Sequence, residues 1–517
     1  MRNEKKQFTK AAGIIGVFTL ISRILGFVRD MVIAWFFGAG LLSDAFFVAF
    51  RLPNLFRRLF GEGSLTVAFI PVFSEHISTF GKEEAFQMAR SAVRMLSVIL
   101  VFITIIGIIT APGIVRIMAP GFTGAKFSMT VILTRIMFPY IFFICLVALS
   151  MGILNVLGHF AAPALAPVFL NLSIIASVLF ISPSLPDPSI GLAIGVIIGG
   201  ILQLLLQLPF LVQKGFYFWQ KADFYHPGLK KIGLLMLPAV FGAAVYQINM
   251  LIGTLLASFL AEGSISYLYY ADRLVQFPLG IFAISMSVAI LPSLSRQAAA
   301  RDMRALTDTF AYAIKLIFFI TIPAMTGLIV LRRPIIALLF ERGAFDPVSS
   351  KLTADALLYF SVGLWAFSAV RIVVPTFYAL QDTKTPVKIA IISVLANIVL
   401  CLTLMGPLAH GGLALAASLS SMLNFILLAM ALRKKLGALG CKKIIESIAK
   451  SVVCSTVMGL SLWAFVCFHQ TTDTSSHFDL LWIVTAGIFI GIFVYILSAY
   501  ILRCRELGDI IKIVKKG

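Results

Sequence analysis

Fourteen stretches of about twenty mostly apolar residues limit this chain more than any other feature. They fall near 11–38, 41–60 (extending toward 75), 86–111, 127–156, 161–182, 189–213, 232–260, 265–294, 306–331, 350–380, 385–406, 411–432, 445–468 and 479–502. A run of that length crosses a hydrocarbon layer of about 30 Å only as a helix. No water is available there to bond exposed peptide groups, so each run must satisfy them internally. Charge agrees. Only 12% of the 517 residues are Asp, Glu, Lys or Arg, where a soluble domain carries about 25%. The predicted fold is an all-α polytopic membrane protein with 14 transmembrane helices. The first run follows Arg2, Lys5, Lys6 and Lys10. It is long, carries Arg23 and has no convincing cleavage site, so it reads as a retained span rather than a signal peptide.

The net charge of +20 invites a nucleic-acid reading, but its distribution explains it otherwise. The N-terminus, the loops after even-numbered spans with the first turns of the spans that follow, and the C-terminal tail hold 26 Lys and Arg; the loops after odd-numbered spans, counted the same way, hold about six. That bias predicts that both termini are cytoplasmic, with no nucleic-acid partner. The six cysteines are scattered and show no Cys-x-x-Cys or Cys/His spacing, so neither a disulfide framework nor a metal site is expected.

The chain resembles itself. Val67–Pro71 recurs as Val288–Pro292 at an offset of 221, and Ala49–Leu52 as Ala271–Leu274 at 222. Pro112–Val115 matches Pro334–Ala337, and Gly191–Ala193 matches Gly412–Ala414. The offset predicts a duplicated unit of six spans, with a pseudo-twofold axis along the membrane normal and a shared central cavity, as in many transporters. The expected organisation is 1–214 for the first lobe, 215–231 for a cytoplasmic amphipathic linker, 232–435 for the second lobe, and 436–517 for two further spans and a basic tail.

Charges inside the first two spans mark the candidate site. Arg23, Arg29, Asp30, Asp44, Arg51, Arg57, Arg58 and Glu62 lie in or beside them. Ionised groups in a membrane usually face a bundle interior or a wet cavity. Arg51 has a repeat partner in Arg273, whereas Arg23 and Arg29 align with apolar residues near Val245 and Leu251. A guanidinium keeps its charge and grips phosphate through a planar fork, so several arginines suit a pyrophosphate. Arg23, Arg29, Arg57 and Arg273 are the substrate-binding candidates; Asp30, Asp44 and Glu62 are the charge-balancing acids. Helical spacing puts Arg23 with Asp30, and Arg51 with Arg58, on common faces; Arg29 and Asp30 are expected to point apart. Arg58 and Glu62 are four apart and suited to pair. Gly195 and Gly199 read as a close-packing pair, and Arg135 is explained about equally by a local carbonyl contact, by snorkelling or by a part in transport.

These residues resemble a known family. Ser22–Asp30, Ser43–Arg58, Tyr269–Leu274 and Gln381–Pro386 are similar to the MurJ (MviN) family of bacterial lipid II flippases, within the multidrug/oligosaccharidyl-lipid/polysaccharide exporter superfamily. The resemblance covers essentially the whole chain and is weakest in the last two spans. It implies export of undecaprenyl-pyrophosphate-linked disaccharide-pentapeptide for peptidoglycan synthesis across the bacterial inner membrane. It also implies arginines at positions 23, 29, 57 and 273 in a central cavity, and a lipid-tail groove formed by spans 13 and 14. Some relatives carry an acid three residues after the span-8 arginine, where this chain has Gln276; a mechanism needing that acid does not carry over. The expected activity is alternating-access transport without a cofactor, driven by Na+, H+ or the membrane potential. Membrane lipids and cell-wall synthesis proteins are the expected partners. The alternatives are a flippase for another polyprenyl-pyrophosphate-linked oligosaccharide, a multidrug exporter, or a membrane glycosyltransferase. A multidrug exporter usually needs an acid-lined pocket, and a transferase needs catalytic carboxylates or a metal at the membrane face; neither is evident.

Overall fold

The computed structural model describes residues 2–58, 65–221, 223–437, 439–470 and 477–516. Helices account for the regular structure among them, with no strand. The chain divides into two compact units, Met1–Ser266 and Tyr267–Gly517.

The first unit holds α1 (Arg2–Phe37), α2 (Leu41–Phe56), α3 (Leu65–Phe80), α4 (Lys82–Met118), α5 (Gly124–Met137), α6 (Tyr140–Val156), α7 (Ala161–Ala176), α8 (Ser189–Gln213) and α9 (Pro227–Ala257). Breaks follow local chemistry. Gly38, with φ 64°, ends α1 in a left-handed conformation that only glycine adopts cheaply. Pro139 divides the predicted fourth span into α5 and α6. Of the predicted second span and its extension, the described residues form α2 and α3.

Of the linker, residues 215–221 and 223–226 form turns, bends and irregular backbone, and α9 already starts at Pro227. Phe216 is fully buried and meets Phe86 edge-on at 5.4 Å, within a core that includes Phe69, Phe73, Leu229 and Ile232. Ser91 Oγ donates to Asp223 O (2.6 Å) and Arg94 Nη2 to Gln220 O (3.0 Å), tying the linker to α4. Because α9 also packs on α3 and α4, the compact unit extends past the repeat boundary to Ser266. The repeat records duplicated sequence; the unit records packing.

The glycine spacing of α8 has a direct structural use. A Cβ on Gly195 would stand 2.8 Å from Ser177 Cβ and 3.0 Å from Ile174 Cα; one on Gly199 would stand 2.7 Å from Leu170 Cδ1. The close approach lets Ser173 Oγ and Ser177 Oγ donate to Gly195 O (2.7 Å) and Gly191 O (2.5 Å). Small residues and interhelical hydroxyl bonds are how membrane helices associate without a hydrophobic drive between them. Gly195→Ala is therefore expected to cost about 1–3 kcal/mol by overpacking. Gly233→Ala, with nothing within 4 Å of its Cβ, should be neutral or stabilising. Thermal unfolding of the two purified variants distinguishes them.

The second unit continues α10 (Ser264–Pro278) through a π-helical turn (Leu279–Ala283) into α11 (Ile284–Ala299). It then holds α12 (Met303–Val330), α13 (Arg332–Phe340), α14 (Pro347–Val362), α15 (Leu364–Ala379), α16 (Lys384–Leu436), α17 (Cys441–Gln470), α18 (His477–Ile501) and α19 (Arg505–Lys516). The range of α16 comprises two helical arms that meet at a kink at Ala409 (φ 47°, ψ −129°), between the stretches predicted as spans 11 and 12. There a Cβ on Gly412 would meet Leu404 O at 2.2 Å, so the turn requires glycine. His410 Nε2 bonds Leu352 O at 2.9 Å, joining α16 to α14. The α14–α15 pair bends by 42° around Gly363. Asn397 Oδ1 accepts from Ser420 Oγ at 3.4 Å, joining the two arms of α16.

Among the described residues nine helices are long and apolar enough to cross a bilayer, ten if α14 and α15 form one span. The protein is a multi-pass membrane protein. All six cysteines are free, and Arg135 Nε donates to Ile108 O (3.3 Å), a local carbonyl contact.

Outside the spans, Asp382 caps α16. It accepts from Thr385 N (3.0 Å) and Thr385 Oγ1 (2.7 Å) and pairs with Lys435 Nζ (2.5 Å). The lysine first, then the Thr385 donors, hold its carboxyl well below the usual carboxylate range. A depressed folded-state pKa contributes stability above the unfolded pKa and loses it as pH falls through the folded value. Wild type should therefore exceed Lys435→Met in thermal stability at pH 6, and the gap should narrow below about pH 4, where the unfolded carboxyl protonates.

Candidate functional site

On α1, Arg29 and Asp30 are both buried, at 6% and 0% exposure. Neighbouring Cβ atoms diverge by about 100° on a helix, but the tips of these side chains converge. Arg29 Nε and Nη2 donate to Asp30 Oδ1 at 3.0 and 2.6 Å. The expectation that the two point apart is thus corrected: the long arginine stem swings back across the helix. Arg29 Nη1 donates to Asn171 Oδ1 (3.2 Å), and Asn171 Nδ2 donates to Ser22 O (3.0 Å). Asn171 on α7 is a site residue that sequence reasoning passed over; its signal is a lone amide inside an apolar run. A Cβ on Gly26 would make an ordinary contact with it, 3.5 Å from the Asn171 amide.

Arg23 is exposed on α1. It lies six residues before Arg29, a rise of about 9 Å, and the shared face predicted for it with Asp30 does not give them similar burial.

Asp44, at 1% exposure, is the centre of a second cluster. Its Oδ2 accepts from Lys126 Nζ (2.7 Å) and Gly263 N (2.8 Å); its Oδ1 accepts from Ser266 N (2.9 Å) and Ser266 Oγ (2.7 Å). Ser266 Oγ also lies 3.0 Å from Ser43 Oγ. Nearby, Leu41 N donates to Glu262 Oε1 (2.7 Å) and Gly121 N to Ser258 Oγ (3.0 Å). Gly121 has no alternative, since a Cβ there would sit 2.2 Å from Ser258 O. Three turns, at 38–40, 119–123 and 258–263, are drawn together around one carboxylate. Lys126 is one of the six basic residues of the loops after odd-numbered spans.

The remaining arginines, Arg51 in α2 and Arg57 and Arg58 just past its end, divide by direction. Arg51 Nη1 donates to Met250 O (2.9 Å) and Arg58 Nη1 to Met250 Sδ (3.5 Å), so the seven-residue spacing does put them on one side, toward α9. Arg57 turns to its own helix, with Nε and Nη2 donating to Asn54 Oδ1 at 3.1 and 3.0 Å. Glu62, and with it the predicted Arg58–Glu62 pair, lies outside the described residues.

In the second unit, Arg273 of α10 is half-buried. Its Nη2 donates to Tyr269 OH (2.7 Å) and its guanidinium lies 5.0 Å from the Tyr269 ring centroid. The tyrosine one turn away thus holds the fork at two points. Gln276 Nε2 contacts Asp272 Oδ1 at 3.5 Å. Asn54 and Tyr269 orient Arg57 and Arg273 through neutral oxygen acceptors. The contact between Arg29 and Asp30 offsets charge as well as orienting. Oriented guanidinium forks within helices are suited to binding phosphate oxygens.

The family model for the lipid II flippase MurJ matches residues 33–483. The chain belongs to the MurJ family. It is 40% identical over 468 residues to a probable lipid II flippase MurJ of Vibrio cholerae, covering 89% of each chain. Its fold matches a lipid II flippase MurJ structure in an inward closed conformation, with a TM-score of 0.79 and 30% identity over 94% of this chain and 98% of that one. An inward-facing multidrug-resistance transporter of the MATE family is similar in fold alone, with a TM-score of 0.69 at 18% identity, covering 81% of this chain and 95% of that one. The family match begins on α1, just after Arg29 and Asp30, and ends on α18.

Proposed function

We propose that the protein is a lipid II flippase, a transporter rather than an enzyme. It carries undecaprenyl-pyrophosphate-linked disaccharide-pentapeptide from the inner to the outer leaflet of the bacterial cytoplasmic membrane, for peptidoglycan synthesis. The observation that supports this best is a set of oriented guanidinium groups on apolar helices of a MurJ-family chain: Arg29 with Asp30 and Asn171, Arg57 on Asn54, and Arg273 on Tyr269. In this proposal the chain spans the membrane fourteen times, as two repeated halves of six spans plus two, with both termini cytoplasmic. Transport proceeds by alternating access. The pyrophosphate is held by Arg29, Arg57 and Arg273, with Arg23 as the fourth cation; Asp30 and Asp44 balance charge, and Glu62 is the third acid of that set. The polyprenyl tail stays in lipid or along spans 13 and 14.

The inside-negative potential favours outward movement of an anion by about 2.3 kcal/mol per charge per 100 mV. The empty cationic site returns against that bias, a step eased by a Na+ or H+ counter-ion. On the proposed orientation, the three turns gathered by Asp44 lie on the outer side. There they serve as a latch that closes that side while substrate loads from the cytoplasm.

The test uses cells depleted of any other flippase. In Arg29→Ala/Asp30→Asn or Arg273→Ala cells, outward-exposed precursor should be lost while synthesis and protein level persist. Normal exposure in both variants contradicts the proposal.

A further inference from the structure

The six basic residues of the odd-numbered loops are not evenly spread. Four of them, Arg332, Arg333, Arg342 and Lys351, fall on or between α13 and the first turn of α14. Burial first, and then Arg333 beside it, push the Arg332 guanidinium down from its usual range. Beside this cluster lies a cleft of about 370 Å³. Arg333, Lys351 and Glu341 supply its charged lining; Val466 of α17 and Leu480 and Ile483 of α18 supply an apolar wall. Arg333 and Lys351 are both exposed, free to meet a ligand from the membrane surface.

A site with two cations on one side and aliphatic side chains on the other has the chemistry of a lipid phosphate and its chain. Two cations and one acid leave a formal charge of about +1. That suits a singly charged phosphodiester; a pyrophosphate would leave negative charge uncompensated. We propose that this cleft binds an anionic phospholipid, such as a phosphatidylglycerol, with its phosphate between Arg333 and Lys351 and an acyl chain along Val466, Leu480 and Ile483. Assignment to the outer leaflet rests on the orientation proposed above; the binding itself does not.

The test is lipid retention by the full-length purified protein, measured by native mass spectrometry after titration with phosphatidylglycerol, phosphatidylethanolamine or undecaprenyl pyrophosphate. Arg333→Gln combined with Lys351→Gln should lower phosphatidylglycerol retention about tenfold and leave phosphatidylethanolamine unchanged. Glu341→Gln should raise phosphatidylglycerol retention several-fold, a gain that misfolding cannot produce. Equal phosphatidylglycerol retention by wild type and both variants overturns the proposal. So does a larger loss of undecaprenyl pyrophosphate than of phosphatidylglycerol in the double variant. Retention is read without transport, so its failure leaves the flippase proposal standing. Failure of precursor export in cells, conversely, leaves retention unmoved.

Discussion

Arg29→Ala should lower outward delivery of lipid-linked precursor by two to three orders of magnitude. Two effects combine. The variant removes a charge-assisted fork, whose bonds are each worth about 1.5–3 kcal/mol. It also leaves Asp30 buried without the cation that meets it at 2.6 Å, and breaking a buried pair costs about 3–5 kcal/mol. A second substitution separates the two. In Arg29→Ala/Asp30→Asn the buried acid is neutral, so thermal stability should largely return. If Arg29 also grips pyrophosphate, export stays low in the double variant. If Arg29 only neutralises Asp30, export recovers with stability. Arg29→Lys, which keeps the charge but loses the planar fork, should fall between. Precursor exposure per folded molecule is the quantity to compare across the series.

The second large effect is expected at Asp44. Asp44→Ala removes the acceptor for Lys126, for the backbone N–H groups of Gly263 and Ser266, and for the Ser266 hydroxyl. Orphaning a mostly buried lysine in this way costs on the order of 3–5 kcal/mol, and the two unpaired N–H groups add to it. Thermal stability should fall sharply, and the gathered turns should separate. A cysteine placed at Ser258, which meets Gly121 closely in the intact protein, should then react with an impermeant maleimide at least about tenfold faster, as a loss of about 1.4 kcal/mol of closure implies. Unchanged labelling with lowered stability would make Asp44 a packing acid only. Asp44→Asn/Lys126→Met, which removes both charges, should regain much of the stability but not the closed labelling pattern.

Much of this architecture is legible in the residues. Long apolar runs dictate helices because a bilayer offers no other partner for the backbone, and Pro139 and the glycines around Ala409 mark where those helices break. The Gly195/Gly199 spacing marks the tight approach of α8 to α7. Side-chain pairing was much less visible. Periodicity fixes where a Cβ points, and an arginine reaches several bonds further, so it misplaced Arg29 relative to Asp30. Asn171 meets Arg29 from 142 residues away, and no local pattern reports such a contact. Lys126 stands among the basic loop residues, and its acid lies 82 residues earlier. The border at Ser266 was hidden too, since packing of α9 against α3 and α4 leaves no trace in the repeat.

The account depends most on guanidinium groups recognising a diphosphate on a lipid. The direct measurement is binding of lipid II, and of a matched lipid whose pyrophosphate is replaced by a neutral linkage, to the purified protein and to its Arg57→Gln/Arg273→Gln variant. The wild type should prefer the pyrophosphate lipid by about 100-fold, roughly two lost charge-assisted contacts, and the variant should lose most of that preference while still binding the neutral lipid. Equal affinity of the wild type for both lipids, or a preference that survives in the variant, would contradict the account.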